Sequence, residues 1–155
     1  MEACAGVGRV CSQGDGLMKI FLDTADLSEM KRLAPEVDGF TTNPSLMRKA
    51  GVTDYERWAL EVLEKIRDKS VSFEVIAKGR KQMNQQARLI NSWGLNAWAK
   101  IPVQNEEGDS LIATITDLVK AALNINVTAL CSIGQVDAVL DAINMCGNAA
   151  VYLSI

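Results

Sequence analysis

Asn96-Ala97-Trp98-Ala99-Lys100-Ile101-Pro102-Val103 reads as a short buried strand with a single amine near its carboxyl end. Side chains of a strand alternate between its faces. Trp98 and Lys100 therefore share one face, while Ala97, Ala99 and Ile101 share the other. Pro102 has no N–H to give to a ladder, which predicts that pairing stops just after the lysine. A lysine enclosed in this way is desolvated, and desolvation lowers the pKa of an amine, as attack on a carbonyl requires. The plainer reading is a lysine that snorkels from a strand end into water. The rest of the chain decides between the two.

The 155 residues suit one domain with a hydrophobic core, since 48% of them are apolar. Charges of both signs are mixed and sum to -3, which argues against a nucleic acid or an anionic membrane as the main partner. The densest basic run, Lys78-Gly79-Arg80-Lys81, reads as a solvated loop. There is no histidine, so imidazole acid–base chemistry and most zinc sites are excluded. Cys4, Cys11, Cys131 and Cys146 show no CxxC spacing and read as reduced thiols of a cytoplasmic protein. No apolar run reaches membrane-spanning length. Residues 1–17 are rich in Gly, Ala and Cys without the apolar core of a secretion signal. They read as a disordered lead, with Met18 as the natural beginning and 18–155 as the domain.

From Met18 onward short apolar runs alternate with amphipathic stretches. Strands are expected at Lys19–Leu22, Val37–Thr41, Ser70–Ile76, Asn96–Pro102, Asn124–Leu130 and Ala149–Ile155. Capping boxes at Asp26/Glu29, Thr53/Glu56 and Ser132/Gln135 open three of the intervening helices. The first of these helices runs to about Leu33, where Pro35 stops it, and the last ends at Gly147. Trp58, Leu60, Val62, Leu63 and Ile66 recur at helical spacing and are assigned to the core. A helix over about Lys81–Trp93 follows the third strand, and Asp109 or Ser110 caps another through Ile112, Ile115, Leu118 and Val119.

Strict strand–helix alternation with short links implies parallel strands joined by right-handed crossovers. An open doubly wound sheet and a TIM barrel both satisfy it. Nearly every strand, however, carries a polar side chain near its carboxyl end: Asp23, Asn43, Glu74, Lys100, Asn126 with Thr128, and Ser154. A doubly wound sheet gathers its ligand groups at one switch point, whereas a barrel draws them from the ends of many strands. The expectation is a TIM (β/α)8 barrel that is incomplete, about six of its eight βα units being present.

The stretches FLDTA around Asp23, TTNPS around Asn43, VSFEV around Glu74, WAKIPV around Lys100 and NVT at Asn126–Thr128 together resemble the transaldolase family. The likeness is to its short-chain members and their fructose-6-phosphate aldolase relatives, in the family's order and spacing. The resemblance implies a class I aldolase barrel with neither metal nor organic cofactor. It places Lys100 on the Schiff-base lysine, Asp23 on the acid–base aspartate and Asn43 on a substrate-orienting position. Glu74 and Thr128 match the pair that holds and activates a catalytic water. Asn126 and Ser154 match substrate-contacting positions. The family's phosphate-binding arginine, and an aromatic that helps separate transaldolases from the aldolases, fall just past Ile155.

The residue types agree with that chemistry on their own terms: a lysine, two carboxylates and a few amide or hydroxyl donors suffice for imine-based carbon–carbon cleavage. Plainer readings stand beside each. Asp23 and Asn43 precede strand-to-helix links where Asx side chains bond the backbone, Thr128 is a β-former, and Ser154 is a small core polar residue. Glu74 is harder to explain this way, because a carboxylate in a buried strand is costly unless paired or used.

The resemblance implies transfer of a dihydroxyacetone unit between sugar phosphates, as in the pentose phosphate pathway, in the cytoplasm. It also implies a homo-oligomer for the full-length protein; no nucleic-acid or membrane partner is expected, on the charge balance above. The alternatives are an aldolase releasing free dihydroxyacetone, or a non-catalytic barrel piece that binds sugar phosphates or assembles with partners. Glu74 favours transfer, since the aldolase relatives resemble the chain with glutamine there.

Overall fold

Asp26 opens the first helix because its carboxylate accepts the N–H groups of Ser28 and Glu29 (2.8 and 3.2 Å), two donors that a helix start leaves unpaired. The reciprocal half of the expected capping box is relayed. Asp26 N–H donates to Thr24 Oγ1, and that hydroxyl donates at 2.6 Å to Glu29 Oε2. In this computed structural model residues 18–146 and 149–155 are described. The expected lead at 1–17, Cys4, Cys11 and the helix stop at Gly147 lie outside them.

The chain divides into two compact units, one of Leu17–Lys100 and one that includes Ile101–Ile155. The first carries strands β1 (Phe21–Asp23), β2 (Gly39–Thr41), β3 (Ser70–Glu74) and β4, which begins at Ala97 and runs to Pro102. Each pairs in parallel with the next in sequence: Asp23 lies beside Thr41, Thr41 beside Ser72, and Glu74 beside Lys100. A doubly wound sheet would reverse its strand order at a switch point, and no reversal occurs here. Helices α1 (Leu27–Leu33), α2 (Pro44–Lys49), α3 (Tyr55–Lys65) and α4 (Arg80–Ser92) fill the connections. The fold is TIM-barrel-like and incomplete, with six strands among the described residues.

Alternation separates the faces of this sheet. Phe40, Val71, Phe73, Ala97 and Ala99 are fully buried, and Phe73 meets Tyr55, Trp58 and Trp93 from the helix layer. Asp23, Thr41, Ser72, Glu74 and Lys100 take the alternate positions, so the polar groups share the opposite face. In the second unit β5 (Ile125–Thr128) pairs in parallel with β6 (Val151–Leu153), and α5 (Ile112–Lys120) packs against α6 (Ile133–Cys146). The Ser132/Gln135 capping box forms in both directions, at 3.1 and 3.3 Å. No helix among the described residues is long and apolar enough to cross a membrane.

Several expected boundaries shift. Val37 and Asp38 fall outside β2 because Asp38 turns back on Ile20, taking its N–H with the side chain and donating to its carbonyl, both at 2.8 Å. Asp54, not Thr53, caps α3, its carboxylate accepting Arg57 N–H at 3.0 Å. Leu60 is exposed and Trp58 only half-buried. Neither Asp109 nor Ser110 is the cap residue of α5; that position is Leu111, with a weak bond from Ile112 N–H to Ser110 Oγ at 3.4 Å. The basic run is exposed, but Arg80 and Lys81 form the first turn of α4 rather than a loop. Pairing does not stop at Lys100: β4 includes Pro102, and Val103 N–H donates to Thr128 O at 2.9 Å. The short helix α2 was not anticipated.

Gly39 sits between two strands with no room for a side chain. A Cβ there would lie 2.4 Å from a Phe21 ring carbon and 2.6 Å from Ser70 Oγ. Gly39→Ala is expected to cost about 2 kcal/mol, the usual range for overpacking, or about 4–8 °C in Tm for a chain of this size. Thermal melts check this; an unchanged Tm would mean that Phe21 and the Ser70 backbone both yield freely.

Candidate active site

The carboxyl ends of β1–β4 bring four of the expected site residues together in the Leu17–Lys100 unit. Lys100 is buried, 9% exposed, and its Nζ donates to the carbonyl oxygen of Thr42 at 3.4 Å. Two carboxylates flank the amine: Glu74 Oε2 at 3.9 Å and Asp23 Oδ1 at 4.0 Å. The lysine does not snorkel into water, because these acceptors hold it at the strand end.

Asp23 is fixed through both of its oxygens. Thr41 Oγ1 donates to Oδ1 at 2.8 Å, from the residue beside it in the β1–β2 register. Asn43 Nδ2 donates to Oδ2 at 3.0 Å. Asn43 is also the N-cap of α2, its Oδ1 accepting Leu46 N–H at 3.0 Å, with Pro44 at the first helical position. Capping thus settles which way the Asn43 amide points and leaves its N–H group for the aspartate. The Asx bond expected of Asn43 at the link into the helix is present, and the same amide reaches Asp23.

Glu74 closes β3 opposite Lys100, and burial pushes its carboxyl above the ordinary carboxylate value of 4.5. The Lys100 charge pulls it back down and the Asp23 charge pushes it further up. A carboxyl raised in this way exchanges a proton more readily near neutral pH than an ordinary one. Tyr55, from the start of α3, donates its hydroxyl to the Glu74 carbonyl oxygen at 3.0 Å. Thr42 Oγ1 is fully buried and has no hydrogen-bond partner among the described residues.

Two further expected residues meet in the other unit. Asn126 is fully buried in β5, and Ser154 Oγ, just past β6, donates to its Oδ1 at 2.7 Å. Thr128, the last residue of β5, is half-buried. Ala129 follows it with φ 60°, a left-handed conformation that costs a residue with a Cβ about 1–2 kcal/mol.

The sequence reading missed three contributors. Thr41 was visible only as part of TTNPS, Thr42 acts through its backbone, and Tyr55 lies nineteen residues from its partner. Register could have found Thr41; no sequence signal marks the other two.

The arrangement places a buried primary amine between two carboxylates of unequal environment, next to amide and hydroxyl donors. Such a set can form an imine with a carbonyl compound and move protons around it. Among the described residues no three His, Cys, Asp or Glu side chains cluster as a metal ion would need.

Comparison with known proteins adds the lineage. A "Probable transaldolase" of Dehalococcoides mccartyi is 35% identical over 120 residues, covering 76% of this chain and 54% of that protein. A "Probable transaldolase 2" of Listeria monocytogenes is 38% identical over 120 residues, covering 76% and 52%. One from Thermoplasma volcanium is 45% identical over 93 residues, covering 57% and 41%. The chain spans about half the length of these curated relatives. Among solved structures, a "putative phosphonomutase" of Burkholderia cenocepacia J2315 superposes with a TM-score of 0.54 at 15% identity, covering 87% of this chain and 68% of that one, a likeness of fold alone. Residues 20–155 match the family described as Transaldolase/Fructose-6-phosphate aldolase, and the chain belongs to that family.

Proposed function

We propose that the protein is a transaldolase, moving a dihydroxyacetone unit from a ketose phosphate to an aldose phosphate through an imine on Lys100. The observation that carries this reading is the buried Lys100 amine held within 4.0 Å of both Asp23 and Glu74. The free-base amine adds to the ketose carbonyl, and loss of water leaves an iminium. Glu74, with its raised carboxyl, is suited to give the departing hydroxyl its proton. The iminium then accepts the electron pair of the adjacent carbon–carbon bond, while Asp23 takes the proton of the hydroxyl on the leaving fragment. An aldehyde departs and an enamine remains on the lysine. An acceptor aldehyde reverses these steps, with Asp23 returning the proton, and water added to the new iminium frees the product. Substrate contacts at Asn43, Asn126 and Ser154, and water contact at Thr128, rest on the family alone.

The deciding assay supplies fructose 6-phosphate with and without erythrose 4-phosphate to the full chain. A transaldolase turns over rapidly only with the acceptor present. Equal release of free dihydroxyacetone without it would assign the aldolase reaction instead. No product in either case would leave the binding-piece reading.

Glu74→Gln keeps size and hydrogen-bonding reach but removes the titrating group. Transfer is expected to fall at least tenfold, about 1.4 kcal/mol of barrier, with residual activity shifted towards free dihydroxyacetone release. The stability signature is separate. A carboxyl raised by folding binds its proton more tightly in the folded chain. Its favourable contribution is therefore complete below about 4.5 and is lost as pH rises through the raised folded value. The variant should accordingly gain stability relative to the parent as pH rises across that window, as denaturant titrations at several pH values would read. Unchanged transfer kinetics would remove Glu74 from the mechanism.

A further inference from the structure

We infer that Tyr55 is a positioning residue for the transfer reaction: its hydroxyl takes over the ladder bond that Pro44 cannot make and so fixes the strand end that carries Glu74. Thr42 N–H donates to Ser72 O at 3.1 Å, one bond of the parallel pattern between this edge and β3. In such a pattern donors recur every second residue, so the next bond would run from residue 44 to the carbonyl of Glu74. That residue is Pro44, which has no N–H and already begins α2, so this edge offers the Glu74 carbonyl no backbone donor. A partly buried carbonyl left without its donor costs about 1–3 kcal/mol. The Tyr55 hydroxyl supplies the missing hydrogen bond at 3.0 Å.

Tyr55 is itself held firmly. It is the first residue of α3, and the Asp54 cap sets the direction in which the helix leaves the loop. Its ring packs edge-on against Trp93 at 5.6 Å and tilted against Phe73 at 6.4 Å. Phe73 and Glu74 are neighbours in β3 on opposite faces. The Tyr55 ring therefore braces the residue facing the helices, while its hydroxyl anchors the backbone of the residue facing Lys100. Burial pushes the phenol well above its ordinary value of 10.0, so it remains a donor at any working pH. With the end of β3 fixed from behind, Glu74 Oε2 rests 3.9 Å from Lys100 Nζ in a partly desolvated setting.

The inference rests on the reading of Glu74 as the carboxyl that serves the imine, and its test separates the two. Tyr55→Phe removes one oxygen and keeps the ring contacts. In the full chain, carbon NMR of labelled glutamate carboxyls reads the Glu74 titration without any turnover. We expect it to fall by at least half a pH unit in Tyr55→Phe, as the loosened strand end lets water reach the carboxyl. Transfer kcat should fall about fivefold with KM within twofold, and the acid limb of the kcat profile should move down with the titration. In a Glu74→Gln background the same substitution should change kcat by less than twofold. An unmoved Glu74 titration with unchanged kcat would overturn the inference. So would an equal loss in the Glu74→Gln background, or collapse of the fold in Tyr55→Phe, since the hydroxyl would then serve the fold as a whole. If no sugar can be trapped on Lys100 of the parent protein, the transaldolase reading fails while the NMR titration still decides the role of Tyr55.

Discussion

Lys100→Arg is expected to abolish turnover, by at least a thousandfold or about 4 kcal/mol of barrier, and to abolish covalent trapping by borohydride in the presence of fructose 6-phosphate. The parent should carry a reduced sugar adduct on Lys100. Arginine keeps the positive charge beside Asp23 and Glu74 and can donate to the Thr42 carbonyl, so the electrostatics that hold the strand ends survive. It has no amine that loses its proton at working pH, so it cannot form the imine. The comparison is clean only if the variant folds, which a melt within a few degrees of the parent would establish. Lys19, Lys78 and Lys120 are exposed and serve as internal controls. An adduct on one of them, or turnover surviving in the arginine variant, would mean that the nucleophile lies elsewhere.

The parts of this site that were legible in the sequence are side chains whose types are costly where they stand. A lysine and a glutamate inside apolar strands need partners, and the structure pairs them with each other in register, Glu74 beside Lys100. Asp23 and Asn43 were legible as polar groups at strand ends, although nothing in their spacing indicated that one amide would both cap α2 and hold the aspartate. The fold class followed from the same distribution of polar strand ends, and the sequence-ordered parallel pairing of β1–β4 agrees with it.

What escaped the sequence was carried by the backbone or by local turns. The Thr42 carbonyl is an acceptor that every residue possesses, so no residue type marks it. The α2 helix has only six residues, too few for its apolar positions to show a period. From β2 onward the expected strands are too long, because β-branched and apolar residues continue past the last ladder bond, whereas β1 extends one residue further than expected, to Asp23. Asp38, just before β2, is engaged with Ile20 instead of the ladder. Pro102 misled in the opposite direction: a missing donor affects one bond on one side, and Val103 resumes the bonding.

Asp23→Asn should separate imine formation from carbon–carbon cleavage. Trapping on Lys100 needs the amine, a carbonyl and the proton that Glu74 supplies, whereas cleavage needs Asp23 as base for the hydroxyl proton on the leaving fragment. We expect the borohydride adduct to persist while transfer falls at least a hundredfold, about 2.7 kcal/mol, within the range usual for loss of a positioned acid–base group. The site can accept the amide without rearrangement. Asn43 Nδ2 must still find an acceptor, because its own oxygen is committed to Leu46 N–H, so the new carbonyl oxygen turns to that side. The new NH2 group then faces Thr41 Oγ1, a hydroxyl that can rotate from donor to acceptor. It replaces the oxygen 4.0 Å from Lys100 Nζ, and the amine keeps Glu74 and the Thr42 carbonyl as partners. Stability should therefore change little, and a melt near that of the parent would show that the loss is chemical. Transfer within threefold of the parent would remove Asp23 as the acid–base group. Loss of trapping together with transfer, in a folded variant, would place Asp23 at imine formation rather than at bond cleavage.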